Sequence, residues 1–380
     1  MSDIRDLIER SKKIVIKIGS ALVTDDATGS VRRAWLESLA ADIADLRKAD
    51  KHIILVTSGA IALGRKAMGV SPAERPGAIS LDIKQAAASV GQLYLSRAYD
   101  ECLSVHGIVS SIVLLTPRDT EDRRSHLNAR ATLSALMARG IVPVINENDT
   151  VSTAEIRFGD NDRLAARVAQ MIGADLLIQL STTDGLYTAD PRLDPAAEHI
   201  ADVKHINEDI QRMAGDALAG VSTGGMKSKL IAADIATLAG VPMVIAKGTE
   251  LHALSALKNG ARATLFHPQG TPLSARKKWI QAHVKPTGTI VIDDGAQQAL
   301  KNGKSLLPAG IIRISGTFQR GDAVTITNQA NQKLAVGLAG YDIDEAQAIM
   351  GRHSHEFLGI LGHSGREEFI HRDDLVLLSG

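Results

Sequence analysis

One cysteine, eleven aromatic residues and no net charge are the scarcities of this 380-residue chain. The lone Cys102 can close no intramolecular disulfide and supply no cysteine-rich metal site, which fits a reducing, cytoplasmic setting. Forty-three Lys plus Arg balance forty-three Asp plus Glu, so the chain carries no cationic surplus for coating nucleic acid or anionic lipid. Eleven rings are too few for a base-stacking platform. The longest stretch free of Lys, Arg, Asp and Glu runs from Cys102 to Pro117, is broken by His106 and several serines, and falls short of the ~18 apolar residues of a membrane span. The first thirteen residues hold no apolar core of a secretory signal. A soluble, cytoplasmic protein with no membrane partner is expected. No two glycines are spaced G-x-G, which removes the dinucleotide fingerprint and the glycine-rich loop of protein kinases. Gly303-Lys304-Ser305 mimics the end of a Walker A loop, but Gln298 stands where its leading glycine is required.

What is present is an alternation. Short β-branched runs at 14–18, 53–57, 112–115, 142–146, 176–180 and 241–246 are apolar on both faces, as central strands of a parallel sheet are. Between them lie helical patterns, among them Trp35 to Leu46, Ile83 to Leu103 and Leu127 to Met137. This predicts an α/β fold: an αβα sandwich around a mostly parallel central sheet. Near residue 266 the pattern changes to a Pro- and Gly-containing stretch and then to short strands at 289–292, 311–314, 323–327 and 333–338. The expected organisation is an α/β domain over 1–265, a linker over 266–276 and a small, mainly β domain over 277–380. From residue 276 onward, 12 Lys plus Arg face 11 Asp plus Glu, so the last domain is no more basic than the rest.

Ligands of such sheets bind beyond the carboxyl ends of the strands. Lys17 lies inside the first strand run, where a buried ammonium needs a partner or an anion; a strand-edge lysine reaching solvent is the alternative. Ser58 follows the second strand at the start of a helix, as an anion contact or as a plain N-cap. Asn146-Glu147-Asn148-Asp149 follows the fourth strand, and Gly159-Asp160-Asn161-Asp162 opens the next helix. Such groups can bind an ammonium, orient lysines or hold a metal, while turns and Asx caps explain one cluster more easily than two. Ser222 to Lys229, with paired glycines before an apolar helix, offers backbone amides and two lysines to an anion. Lysines in a first turn oppose the helix dipole, which argues for a functional reason. The C-terminal histidines His353, His355, His363 and His371 lack the spacing of a metal site.

Cations and amide donors gathered at one sheet rim suit phosphoryl transfer. None of these motifs contains a histidine. A carboxylate acceptor is already ionised near neutrality and needs no general base, so the acceptor expected is a carboxylate, with Lys17, Lys229 and a magnesium ion offsetting the repulsion between two anions.

The ordered strings VIKIGS, VTSGAIALG, VINENDTV, FGDNDRLAA, DGLYTADPR and STGGMKSKL, with HRDD near the terminus, resemble the amino acid kinase family, in the branch that carries a C-terminal PUA domain. The resemblance covers essentially the whole chain. It implies an ATP-dependent kinase of the γ-carboxylate of L-glutamate in proline biosynthesis, with ATP as co-substrate and magnesium held mainly by the ATP phosphates. Carried over by residue, Lys17 and Lys229 would contact the transferred phosphoryl group and Asp162 would orient them. Ser58, Asp149 and Asn161 would bind glutamate; Thr223, Gly224, Gly225, Met226, Lys227, Ser228 and Lys229 would form the nucleotide-phosphate loop, with Ser181 and Thr182 also contacting ATP. Proline as feedback inhibitor and a homo-oligomer are implied as well. One departure is visible: the family's Ser/Thr-Asp after the fifth strand reads Ser181-Thr182-Thr183-Asp184, with the acid two positions later. The rivals are related kinases of aspartate, N-acetylglutamate or a nucleoside monophosphate, and an RNA-binding protein acting through the PUA domain.

Overall fold

The structure, a computed structural model, describes residues 2–25, 28–70, 79–151, 160–214, 225–270, 286–363 and 365–378. The chain divides into two compact units, Met1–Glu121 with Asn128–Pro272 and Asp122–Leu127 with Leu273–Gly380.

In the first unit the strands are β1 (Lys13–Ile18), β2 (His52–Val56), β3 (Ser110–Leu115), β4 (Val142–Glu147), β5 (Leu176–Ser181), a small hairpin of β6 (Leu186–Tyr187) and β7 (His199–Ile200), β8 (Asp202–Val203), β9 (Met243–Lys247) and β10 (Ala263–Phe266). Eight of them form one sheet in the order β3-β4-β2-β1-β5-β9-β10-β8. Pairing is parallel from β3 through β9; β10 runs antiparallel to β9, and β8 runs parallel to β10. The carboxyl ends of β1, β2, β4, β5 and β9 therefore share one edge. β1 is flanked by β2 on one side and β5 on the other, so the chain order switches direction there, and at such a point a crevice opens for ligand.

The helices are α1 (Ser2–Arg10), α2 (Ser20–Val23), α3 (Arg33–Lys48), α4 (Ala60–Ala67), α5 (Leu81–Ser104), α6 (Pro117–Glu121), α7 (Arg123–Ala138), α8 (Asp160–Ile172), α9 (Glu208–Met213), α10 (Met226–Leu238) and α11 (Ala253–Lys258). Strand alternation assigns the two core layers. Ile14, Ile16 and Ile18 pack with Leu36, Leu39 and Ile43 of α3 on one face; Val15, Leu177, Met243 and Ile245 pack with α8 and α10 on the other. On that second face Ala165, Ala166 and Ala169 of α8 and Ala232, Ala233 and Ala236 of α10 are fully buried, and such small residues let both helices sit low on the sheet. The sandwich expected from the alternation is thus present. The expected linker, however, begins too early: Phe266 completes β10 and is fully buried, and the His267 and Gln269 amides donate to Val203 and Thr237 carbonyls. Residues 271–276 of that linker lie outside the described residues.

In the second unit a five-stranded sheet runs β12-β11-β13-β14-β15, from β11 (Gly288–Ile292), β12 (Ile311–Gly316), β13 (Ala323–Thr327), β14 (Lys333–Leu338) and β15 (Leu375–Leu377). Two short helices, Asp294–Lys301 and Ile343–Ile349, start at Asp293 and Asp342, whose carboxylates accept from the Ala296 and Glu345 amides. Phe318, Tyr341, Phe357 and Phe369 fill its core, with Tyr341 stacked on Phe369.

One contact in the first unit fixes α4 against α5. A Cβ built on Gly91 of α5 would lie 1.7 Å from the Ala60 carbonyl of α4, and one on Gly64 the same distance from the Ala87 carbonyl. The two helices touch backbone to backbone, so Gly91→Ala must push them apart. It is expected to cost about 1–3 kcal/mol, read as a lower urea midpoint at unchanged m; an unchanged midpoint would contradict the close approach.

Candidate active site

Lys17, one residue from the carboxyl end of β1, shares its face of the sheet with Val15 and lies under α8 and α10. Asp162 stands in the first turn of α8 and Lys229 in the first turn of α10. The three meet: Lys17 Nζ is 2.5 Å from Asp162 Oδ1, and Lys229 Nζ is 3.1 Å from Oδ2. Ser228 Oγ donates to Oδ2 at 2.5 Å. Asp162 is fully buried, and Lys17 and Lys229 are 6% and 8% exposed. Burial alone would raise the Asp162 pKa, but the charges of Lys17 and Lys229, with their hydrogen bonds and that of Ser228, hold it down to about 2. The Lys229 ammonium is pushed below its ordinary pKa, first by burial and then by the charge of Lys17, against the pull of Asp162.

This arrangement decides the question of the first-turn lysines. Lys229 turns inward and is compensated by Asp162, whose own place in the first turn of α8 is favourable with that helix's dipole. Lys227, two residues earlier, is exposed. Gly225 is the N-cap of α10, and Met226 packs against the core. Thr223 and Gly224 lie outside the described residues.

A second cluster is built of uncharged groups. Asn161, beside Asp162 in α8, donates from Nδ2 to Ser58 Oγ at 3.1 Å and to Asn146 Oδ1 at 3.2 Å. Asn146, buried in β4, donates from its own Nδ2 to Gln92 Oε1 of α5 at 2.9 Å. Asn161 Oδ1 is buried and has no hydrogen-bond partner among the described residues. Ser58 is not the cap of α4; that position belongs to Gly59, whose φ of +112° suits glycine. Its hydroxyl is thus available to the cluster. Asp149 is buried two residues past the end of β4.

The displaced acid after β5 has other work. Asp184 accepts from the Tyr187 hydroxyl at 2.9 Å and lies 3.7 Å from Arg262. Ser181 is buried at the end of β5, its carbonyl accepting from Gly248, and Thr182 is exposed beyond it.

Two participants, Gln92 and Gln179, were not singled out by motif. Gln92 and Asn146, the first residue of the string after the fourth strand run, complete the amide chain. Gln179 pairs with Lys17 across β1 and β5, is 1% exposed, and neither of its amide atoms has a hydrogen-bond partner among the described residues. A lone amide inside the apolar run Leu176 to Leu180 was the available signal for Gln179; for Gln92, on an amphipathic helix, there was none.

Set beside known proteins, the two units match two families. The amino acid kinase family matches residues 12–247 and the PUA domain residues 288–361. The chain belongs to the amino acid kinase family. Within it, the curated relatives are glutamate 5-kinases: "Glutamate 5-kinase 1" of Rhizobium meliloti (strain 1021) is 52% identical over 377 residues, covering 99% of this chain and 95% of that one. "Glutamate 5-kinase" of Paramagnetospirillum magneticum (strain ATCC 700264 / AMB-1) is 52% identical over 97% of this chain and 98% of its own. Among solved structures, UMP kinase from Ureaplasma parvum overlaps 68% of this chain and 99% of its own, at 12% identity and a TM-score of 0.48.

The charged cluster makes a pH-dependent contribution to stability. An Asp held at about 2 in the fold against about 3.9 unfolded stabilises the protein above pH 4, and the contribution fades as pH falls toward 2. Asp162→Asn leaves two buried ammoniums without a counter-charge and is expected to cost about 3–5 kcal/mol near pH 7. Urea midpoints of the two proteins should converge as the pH is lowered from 4 toward 2; a constant gap would show that the carboxylate's charge is not what matters.

Proposed function

We infer that the chain transfers the γ-phosphoryl group of ATP to the γ-carboxylate of L-glutamate, giving L-glutamate 5-phosphate and ADP, the first step of proline biosynthesis. The observation that carries this reading is the pair of buried ammoniums on one carboxylate at the switch point of the sheet, in a chain related over nearly its whole length to glutamate 5-kinases. A carboxylate oxygen of glutamate attacks the γ-phosphorus as the bond to the ADP oxygen breaks. The acceptor is already ionised near neutral pH, so no base takes a proton. Lys17 and Lys229 offset the charge of two approaching anions and of the transferring phosphoryl group, and Asp162 holds both in place without moving during the reaction.

Gly225 to Lys229, with Thr223 and Gly224, are assigned to the ATP phosphates, and Ser181 and Thr182 to the nucleoside end. Ser58, Asn161 and Asp149 are assigned to glutamate, Asn161 and Asp149 at its α-ammonium. Both oxygens of Asp162 are engaged by Lys17, Lys229 and Ser228. Among the described residues no group of three or more His, Cys, Asp or Glu is placed to hold a metal. Magnesium is assigned to the nucleotide's own phosphate oxygens, where it would supply further charge neutralisation. The resemblance also supports proline as a feedback inhibitor and a homo-oligomeric assembly. The four rings in the core of the second unit are buried, so they offer RNA no stacking surface. No helix among the described residues is long and apolar enough to cross a membrane.

Incubation with ATP, magnesium and glutamate in hydroxylamine should yield the hydroxamate that only an acyl phosphate forms. Aspartate and N-acetylglutamate run in parallel should yield little; hydroxamate from either in preference to glutamate would overturn the acceptor. Lys17→Ala and Lys229→Ala should each lower kcat by roughly a hundredfold or more, and near-normal turnover in both would sink the site. Because burial pushes the Lys229 ammonium below the ordinary lysine range in the ligand-free protein, kcat/KM of the native enzyme should decline on the alkaline side before about pH 10.4. Asp149→Asn should raise the KM for glutamate far more than that for ATP, and equal rises would remove Asp149 from the acceptor pocket.

A further inference from the structure

We propose that Gln92 is a positioning residue: it fixes the Asn161 amide with its oxygen turned to the acceptor pocket, and so makes the pocket select an α-ammonium acceptor over one whose amine is absent or acylated. The inference rests on the assignment of Asn161 to glutamate made above.

The direction of every bond in the chain follows from Ser96. Its hydroxyl donates to the Gln92 carbonyl one turn earlier at 2.6 Å, so its proton is used and its oxygen can only accept. Gln92 must then turn its Nε2 toward Ser96, at 3.3 Å, and its Oε1 toward Asn146. Asn146 consequently gives its Nδ2 to Gln92 and offers Oδ1 to Asn161. Asn161 must answer with Nδ2, which also reaches Ser58 Oγ, and its oxygen is left over. That oxygen is the buried, unpartnered Asn161 Oδ1. A buried acceptor without a donor is costly until something supplies one, and an ammonium is the donor that an acceptor of this kind suits best. With the amide reversed, two N–H groups would face the ammonium instead.

Gln92 can impose this order because it cannot drift. Its neighbour Gly91 presses on the Ala60 carbonyl, two residues after Ser58, so the helix that carries Gln92 and the turn that carries Ser58 are fixed to each other by backbone contact. The polarity set at Ser96 is thus transmitted through Gln92, Asn146 and Asn161 to the substrate. All of these groups are uncharged. They choose the acceptor without altering the field in which the phosphoryl group moves.

Gln92→Leu removes the acceptor that holds Asn146, frees both asparagine amides to reverse, and should raise the KM for glutamate roughly tenfold, with kcat and the KM for ATP within about twofold. Glutarate, which has no amine, should bind as an inhibitor equally well before and after. Gln92→Glu keeps an oxygen facing Asn146 Nδ2 and should restore the glutamate KM to within about threefold of the native value. If Gln92→Leu does not fold, Gln92→Met, of similar length and also without the acceptor, takes its place. An unchanged glutamate KM in the Leu or Met variant overturns the proposal, as does an equal loss of glutarate binding or a parallel rise in the KM for ATP. Asn161→Ala separates the two levels: if it leaves the glutamate KM unchanged, the assignment of Asn161 fails and the role of Gln92 falls with it. If it raises that KM while Gln92→Leu does not, only the role of Gln92 is wrong.

Discussion

Two ammoniums share one carboxylate in the interior of this protein, and most of the first unit is arranged so that they can. A single buried Lys–Asp pair would be neutral and inert toward an anion. Lys17, Asp162 and Lys229 together carry one positive charge in excess, out of water, at the edge where the sheet opens. Desolvation makes that surplus expensive when nothing is bound, and valuable once a phosphate arrives. The cost is bearable because Asp162 is ionised between the two ammoniums and Ser228 adds a hydrogen bond to its carboxylate.

The cluster also explains why the three elements have the sequences they have. β1 must place a lysine at its penultimate position while keeping Ile14, Ile16 and Ile18 in the opposite layer. α8 must begin with an acid that its dipole favours and continue with small residues. α10 must begin with a lysine its dipole disfavours, which is tolerable only because α8 delivers the acid to meet it. The locally odd first turn of α10 is thus resolved by α8. Gln179 beside Lys17 adds a polar side chain at the same depth.

The sheet and its helices were legible because burial on both faces leaves an unmistakable pattern in the strands; the strand order was not, since parallel pairing is compatible with many orders. Lys17, Asp162 and Lys229 were legible as residues out of keeping with their surroundings, and the resemblance assigned them roles; their meeting on one carboxylate is a tertiary fact that no window of sequence contains. The short helices Asp294–Lys301 and Ile343–Ile349 escaped notice although Asp293 and Asp342 cap them, since seven or eight residues give too little periodicity to stand out. The linker was drawn at Phe266 on the strength of the prolines after it. The apolar residues 263–266 closing the sheet were the better guide. Gln92 was invisible for a different reason: an amide on an amphipathic helix looks like a solvated residue until Gly91 is seen to press its helix against α4.

The division of labour between charged and neutral groups gives the zero net charge of the chain its meaning. On the phosphate side, fixed charges are useful because the charge to be offset moves during the reaction, and preorganised cations need not reorient to follow it. On the acceptor side, a further lysine would draw the phosphoryl group off line. Neutral amides and a hydroxyl escape that penalty. They supply direction without field, but only if each amide is prevented from turning over, because a reversed amide is nearly the same shape and has the opposite preference. The backbone contact at Gly91 and the chain from Ser96 to Asn161 meet that requirement. A site that binds two anions at once can therefore be assembled in a protein whose charges sum to nothing, provided the surplus cation is confined to one cluster and the selectivity is left to groups that carry none.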